Sequence, residues 1–112
     1  MQDCKVNILG TEYDVLFQGI EENKFLANAD GYVDRSVNKI VISKKEDDCE
    51  LEDFEAYQKK CLRHEIIHAF MEESGLSVNF EHKPIGIEET TVDWFAIQSP
   101  KIFKVFQELD IL

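Results

Sequence analysis

The run Arg63-His64-Glu65-Ile66-Ile67-His68 holds two imidazoles four residues apart, with a carboxylate beside the first: the spacing H-E-x-x-H. On a helix, residues four apart stand one turn above each other on one face, so both imidazoles reach one metal ion. Neutral imidazole is a good zinc ligand, and zinc is the cofactor this spacing predicts, with His64 and His68 as ligands. Glu65 adjoins the first ligand without taking a coordination position, which puts its carboxylate within reach of a water that the metal activates. As general base it would remove that water's proton during hydrolysis of a carbonyl compound. The bland reading of the same residues is a solvated helix face whose histidines are incidental.

A catalytic zinc has three protein ligands and one open position. His82 is one candidate for the third, and the acidic cluster Glu88, Glu89 and Asp93 is the other. Glu89 and Asp93 are four apart, so one can bind the metal while the other receives the N–H of a ligating histidine and fixes its ring. Acids at a helix N-terminus are also what the helix dipole favours without any metal, so spacing alone leaves the choice open. Three side chains are candidates for stabilising a tetrahedral oxyanion, Tyr57, Tyr32 and His82, and none stands out. Cys61, three residues before His64, would close the site as a structural zinc ligand, but free cysteine is a common core residue and packing is the favoured expectation.

These residues need a helix with one buried face, and the chain supplies one. From about Leu51 to Ser74 the apolar positions Phe54, Tyr57, Cys61, Leu62, Ile66, Ala69 and Phe70 follow helical spacing, and Gly75 is a natural stop. Before it, Val6, Ile8, Tyr13, Val15 and Phe17 alternate with polar residues as two short strands broken at Gly10-Thr11. Asn28, Asp30 and Gly31 read as turn chemistry. Lys39 to Ser43 is the best buried strand, at an edge or in the interior of a sheet. After the helix, 77–87 reads as an irregular connection. A second helix is predicted from Ile87 or Glu88 through Trp94, Phe95 and Ile97, ended or interrupted by Pro100, with a further helical piece from Lys101 to Leu109. Trp94 and Phe95 are expected to anchor it. Strands first and helices afterwards predict an α+β fold, a small N-terminal sheet followed by an active-site helix and a second helix.

The chain has 112 residues, enough for one domain over 1–112 and one core. Its net charge of -11 works against nucleic-acid binding, because phosphate affinity comes chiefly from Lys and Arg. Cys4, Cys49 and Cys61 make neither an even set nor a C-x-x-C pair, which fits a reducing compartment. Neither a signal peptide nor a stretch long enough to cross a bilayer is evident, so no membrane partner and a cytoplasmic location are expected.

The combination of H-E-x-x-H with a later E-x-x-x-D, here Glu89-Thr90-Thr91-Val92-Asp93, resembles the gluzincin metallopeptidases. Glu-Thr-Thr-Val-Asp-Trp-Phe-Ala from Glu89 to Ala96, with Pro100 beyond, is similar to the second-helix pattern of the ImmA/IrrE-like peptidases of phages and mobile elements. The resemblance covers roughly Cys61 to Pro100. Val92 stands where those relatives usually have alanine, and the chain lacks the length for their additional domains. What the resemblance implies is a minimal zincin-like domain with Glu89 as third ligand, Glu65 as base and Asp93 as the partner of His64. It also implies a protein or peptide substrate, a repressor among the options. The alternative function is a non-catalytic zinc-binding protein of the same fold that acts by contacting a repressor or host protein.

Overall fold

The computed structural model describes residues 1–79 and 89–112; residues 80–88 and the side chains of Val78, Asn79, Glu89, Thr90, Val92, Asp93 and Ala96 lie outside the description. The architecture is α+β, a four-stranded sheet followed by helices. Strands β1 (Cys4–Ile8) and β2 (Thr11–Gln18) form a hairpin in which Ile8 pairs with Thr11. Both loop residues have positive φ, 52° at Leu9 and 96° at Gly10, the backbone whose twist matches a two-residue hairpin. Val6, Ile8, Tyr13, Val15 and Phe17 then all turn to one buried face, as the alternation predicts.

From β2 the chain passes through a single 3-10 turn (Lys24–Ala27) into β3 (Gly31–Asp34), then returns as β4 (Lys39–Ser43). The sheet order is β1-β2-β4-β3, with β2 and β4 parallel and the other pairs antiparallel. One open alternative is settled here and one expectation changes. Lys39–Ser43 is an interior strand, and the segment read as a turn supplies the edge strand β3 instead. Asn28 and Asp30 do form the bend, but Gly31 to Asp34 pair in register with Ile42 to Lys39, because tertiary pairing outweighs the weak strand propensity of glycine. Ile40 and Ile42 face the main core. Val41 between them faces the other side and is fully buried there too. Tyr32, its partner in register, shares that side, and Phe25 of the 3-10 turn packs edge-on against Tyr32 with ring centroids 6.0 Å apart.

Helix α1 (Phe54–Glu73) starts at Asp53, whose carboxylate caps the Ala56 N–H at 3.0 Å, and ends before Gly75 at φ 81°. Gln58, Leu62, Glu65, Ile66, Ala69 and Phe70 are its buried residues, one face at helical spacing laid on the sheet. Polar bonds fix its two ends. Gln58 Nε2 donates to the Ser43 carbonyl at 2.9 Å, while Glu73 accepts from the Tyr13 hydroxyl at 2.7 Å and from Thr11 Oγ1 at 2.9 Å. The short α2 (Leu76–Asn79) follows. Helix α3 (Glu89–Glu108) runs back along α1: Trp94 Nε1 donates to Ser74 Oγ at 2.8 Å, and Arg63 donates to the Ile111 carbonyl at 2.5 Å near the other end.

Pro100 lies inside α3 and neither ends nor interrupts it, contrary to expectation. It is exposed, so the carbonyl left without a donor can turn to water. The burial of Ile102, Val105 and Phe106 beyond it holds the helix on course. Among the described residues, no helix is long and apolar enough to cross a membrane.

Tyr13 is fully buried with its hydroxyl on the Glu73 carboxylate, and burial together with that carboxylate pushes its pKa up. Tyr13→Phe should cost about 1–3 kcal/mol in urea unfolding, the cost of leaving a charged acceptor short of a buried donor. A change under about 0.5 kcal/mol, the range of ordinary surface substitutions, would mean that Glu73 is satisfied by Thr11 and solvent alone.

Candidate metal centre

The packing of α1 decides where its polar residues go. With Leu62, Ile66, Ala69 and Phe70 on the sheet, His64 and His68 fall on the opposite, exposed side, one turn apart. Their Nε2 atoms lie 3.1 Å from each other, and the rings meet edge to face with centroids 4.7 Å apart. Two nitrogens bound to one tetrahedral zinc at 2.0–2.1 Å stand roughly 3.3 Å apart. The separation is close to what a shared ion requires, and it equally suits a hydrogen bond between the two rings, with one Nε2 donating and the other accepting.

Glu65 sits between the two histidines in sequence but points the other way round the helix, under the edge strand, and is 9% exposed. Gly31 makes this possible. A Cβ on Gly31 would lie 2.9 Å from the Val41 carbonyl oxygen, 3.0 Å from Ile42 Cδ1 and 3.3 Å from Glu65 Cγ, so only glycine lets β3 pass so close above the carboxylate. Burial raises the pKa of Glu65, while positive charge on His64 or His68 would lower it. The side chain is thus held at the border between the core and the histidine face.

Two cavities of about 270 Å³ each open on either side of this border. Glu65 and Gly31 line both. His64 lines the first with Asp30, Tyr57, Lys60 and Cys61, and His68 lines the second with Tyr32, Val33, Arg35 and Glu72. Comparison of the chain with models of known protein families, with curated proteins and with solved structures finds no match.

Of the sequence-predicted residues, His64 and His68 lie against each other, and Glu65 stands beside them, turned toward β3. Glu89 is the first residue of α3, four before Asp93 on the same helix, but both side chains lie outside the described residues, as do His82 and Glu88 entirely. Among the described residues, no three His, Cys, Asp or Glu side chains converge on a metal position. Cys61 is half-buried, packs against the core as expected and also lines the His64 cavity; burial raises its thiol pKa, which disfavours the thiolate a zinc ligand needs. Both tyrosines considered for an oxyanion are engaged. Tyr57 donates its proton to Asp30, and Tyr32 accepts from Asn23 Nδ2 at 2.6 Å on the side of the sheet away from α1.

Sequence reasoning missed Gly31, Asp30, Arg35 and Glu72. Glu72 carried a signal, since it is four residues after His68 and extends the same helix stripe. The other three belong to or flank β3, whose existence as an edge strand had no periodic pattern to show it.

If the imidazole pair is the core of a metal site, the full chain should hold one zinc, measured by mass spectrometry of metal content after dialysis. His64→Ala or His68→Ala should abolish tight binding, because two protein ligands hold zinc poorly. Full zinc retention in the double variant would rule the pair out as ligands.

Proposed function

We propose that the chain is a zinc-dependent peptidase of gluzincin type, with His64, His68 and Glu89 holding the metal and Glu65 as general base. The observation that carries this reading is the placement of Glu65, a nearly buried carboxylate next to an imidazole pair at metal-ligand spacing, with a cavity on either side. A purely structural metal site has no use for such a carboxylate, and desolvating one is costly. The resemblance of 61–100 to the ImmA/IrrE-like peptidases supports Glu89 as third ligand and Asp93 as the group that orients His64.

Zinc, when bound, would act as a Lewis acid toward a peptide carbonyl and raise the acidity of water. The chain's own residues supply the rest. The Nε2 atoms of His64 and His68 would hold the ion. A carboxylate oxygen of Glu65 takes a proton from the attacking water and passes it to the nitrogen of the departing amine. Its burial raises its proton affinity toward the working range for that exchange. Among the described residues β3 pairs only with β4, so its outer edge offers N–H and C=O groups to an extended peptide, the substrate class this site suits. A cytoplasmic protein, a repressor among them, is the substrate the resemblance suggests.

One observation favours a second reading, a zinc-binding protein that acts by contacting a partner. Among the described residues, Tyr57 gives its proton to Asp30 and Tyr32 lies on the side of the sheet away from α1, so neither is placed to donate to an oxyanion. Glu65→Gln separates the two. It keeps the shape and should keep the zinc, while hydrolysis of a protein panel should fall by roughly 10²–10⁴-fold. Unchanged cleavage by the Gln form would exclude this mechanism. Absence of cleavage by the unsubstituted protein, with partner capture by both forms, would favour the binding protein.

A further inference from the structure

Two side-chain bridges cross from the flanks of β3 to α1, one on each side of Glu65. At the His64 end the Tyr57 hydroxyl donates to Asp30 Oδ2. At the His68 end Arg35 Nη1 donates to Glu72 Oε2 at 3.2 Å. Both outer anchors are tied to the strand: the Asp30 carbonyl accepts from the Ser43 N–H at 2.9 Å, and Arg35 follows directly on Asp34, the last residue of β3. Asp30 and Tyr57 line the first cavity, Arg35 and Glu72 the second, and Glu65 both. Asp30 to Arg35 spans about 17 Å of extended chain, and Tyr57 to Glu72 about 22 Å of helix. The bridges therefore frame a window along β3 of roughly five extended residues, with Glu65 inside it.

We propose that the Asp30–Tyr57 and Arg35–Glu72 bridges are specificity-determining gates that restrict this cleft to short peptides and chain ends. For its substrate the inference rests on the peptidase reading; for the gates themselves it does not. A peptide that pairs with β3 runs along the strand, so a segment longer than the window must cross a bridge at one end or both. An internal stretch of a long polypeptide must part them, whereas a short peptide or a terminus fits between them. Both bridges are solvent-exposed, and the Arg35–Glu72 pair has side chains 57% and 36% exposed, so each opens at modest cost and the gate is a filter rather than a wall.

Cys61 reports on the gate, because it lines the His64 cavity beside Tyr57. In the full chain, its rate of reaction with N-ethylmaleimide, read on the peptide that contains it, should rise severalfold in Tyr57→Phe and further in Tyr57→Phe combined with Arg35→Gln. The Tyr57 hydroxyl beside Cys61 favours its thiolate, so losing it does not by itself speed the reaction, and a faster reaction reports access. Circular dichroism and thermal melting verify that each variant is folded. In parallel, a nested series of one peptide sequence, from shorter than the window to three times its length, is offered to each form. Turnover by the unsubstituted chain should drop once the peptide outgrows the window, and the double variant should flatten that dependence. Equal Cys61 rates in the unsubstituted and double-variant chains, or turnover that ignores length, would overturn the proposal. If no form cleaves any peptide, the peptidase reading fails on its own, and protection of Cys61 by the same peptides still reads the length limit.

Discussion

The registry of α1 on the sheet is the constraint on which the site depends. Leu62, Ile66, Ala69 and Phe70 are buried to within about one per cent of full occlusion, and the three larger ones contribute on the order of 1.5–3 kcal/mol each by leaving water. Once they are seated, 100° per residue fixes every other direction. His64 and His68 face out, and Glu65, one residue on, is carried to the edge of the core. Turning the helix by one residue would expose Leu62 and Ile66 and bury an imidazole, so the apolar face enforces the arrangement of the polar one. Polar contacts reinforce it at both ends, through Gln58 at the end of β4 and Glu73 at the start of β2.

That registry sets up a conflict which the sheet resolves. A carboxylate under a strand has little room, and β3 makes the room with Gly31, where any side chain would press on the Val41 carbonyl and on Glu65. The edge strand thus lies close over the helix at Gly31, and the space on either side of that point becomes the two cavities. Fold and site are coupled here: the strand that completes the sheet also walls the cleft.

Much of this was legible in the sequence, for identifiable reasons. Period-two alternation marked β1 and β2, and the run Ile40-Val41-Ile42 marked a buried strand, because those patterns follow directly from which faces are covered. The 3.6-residue spacing of Leu62, Ile66, Ala69 and Phe70 marked α1 and with it the outward face of His64 and His68. β3 was not legible, since Gly31-Tyr32-Val33-Asp34 has only one strongly strand-forming pair and owes its pairing to β4. The place of β4 in the sheet was open for the same reason. Pro100 misled because a local rule about backbone donors was applied without the burial of Ile102, Val105 and Phe106 on its far side. The engagement of Tyr57 by Asp30 depends on a contact between residues 27 apart, which spacing along the chain does not encode.

A zinc peptidase requires that the exposed pair of imidazoles on α1 hold the ion in an open site with nitrogen and oxygen ligands. X-ray absorption at the zinc edge on the zinc-loaded full chain tests it most directly. The spectrum should show two imidazoles at about 2.0–2.1 Å with the remaining positions filled by oxygen, and no sulfur. A sulfur neighbour at about 2.3 Å would bring Cys61 into a closed structural site, and a shell without imidazole would contradict the claim altogether.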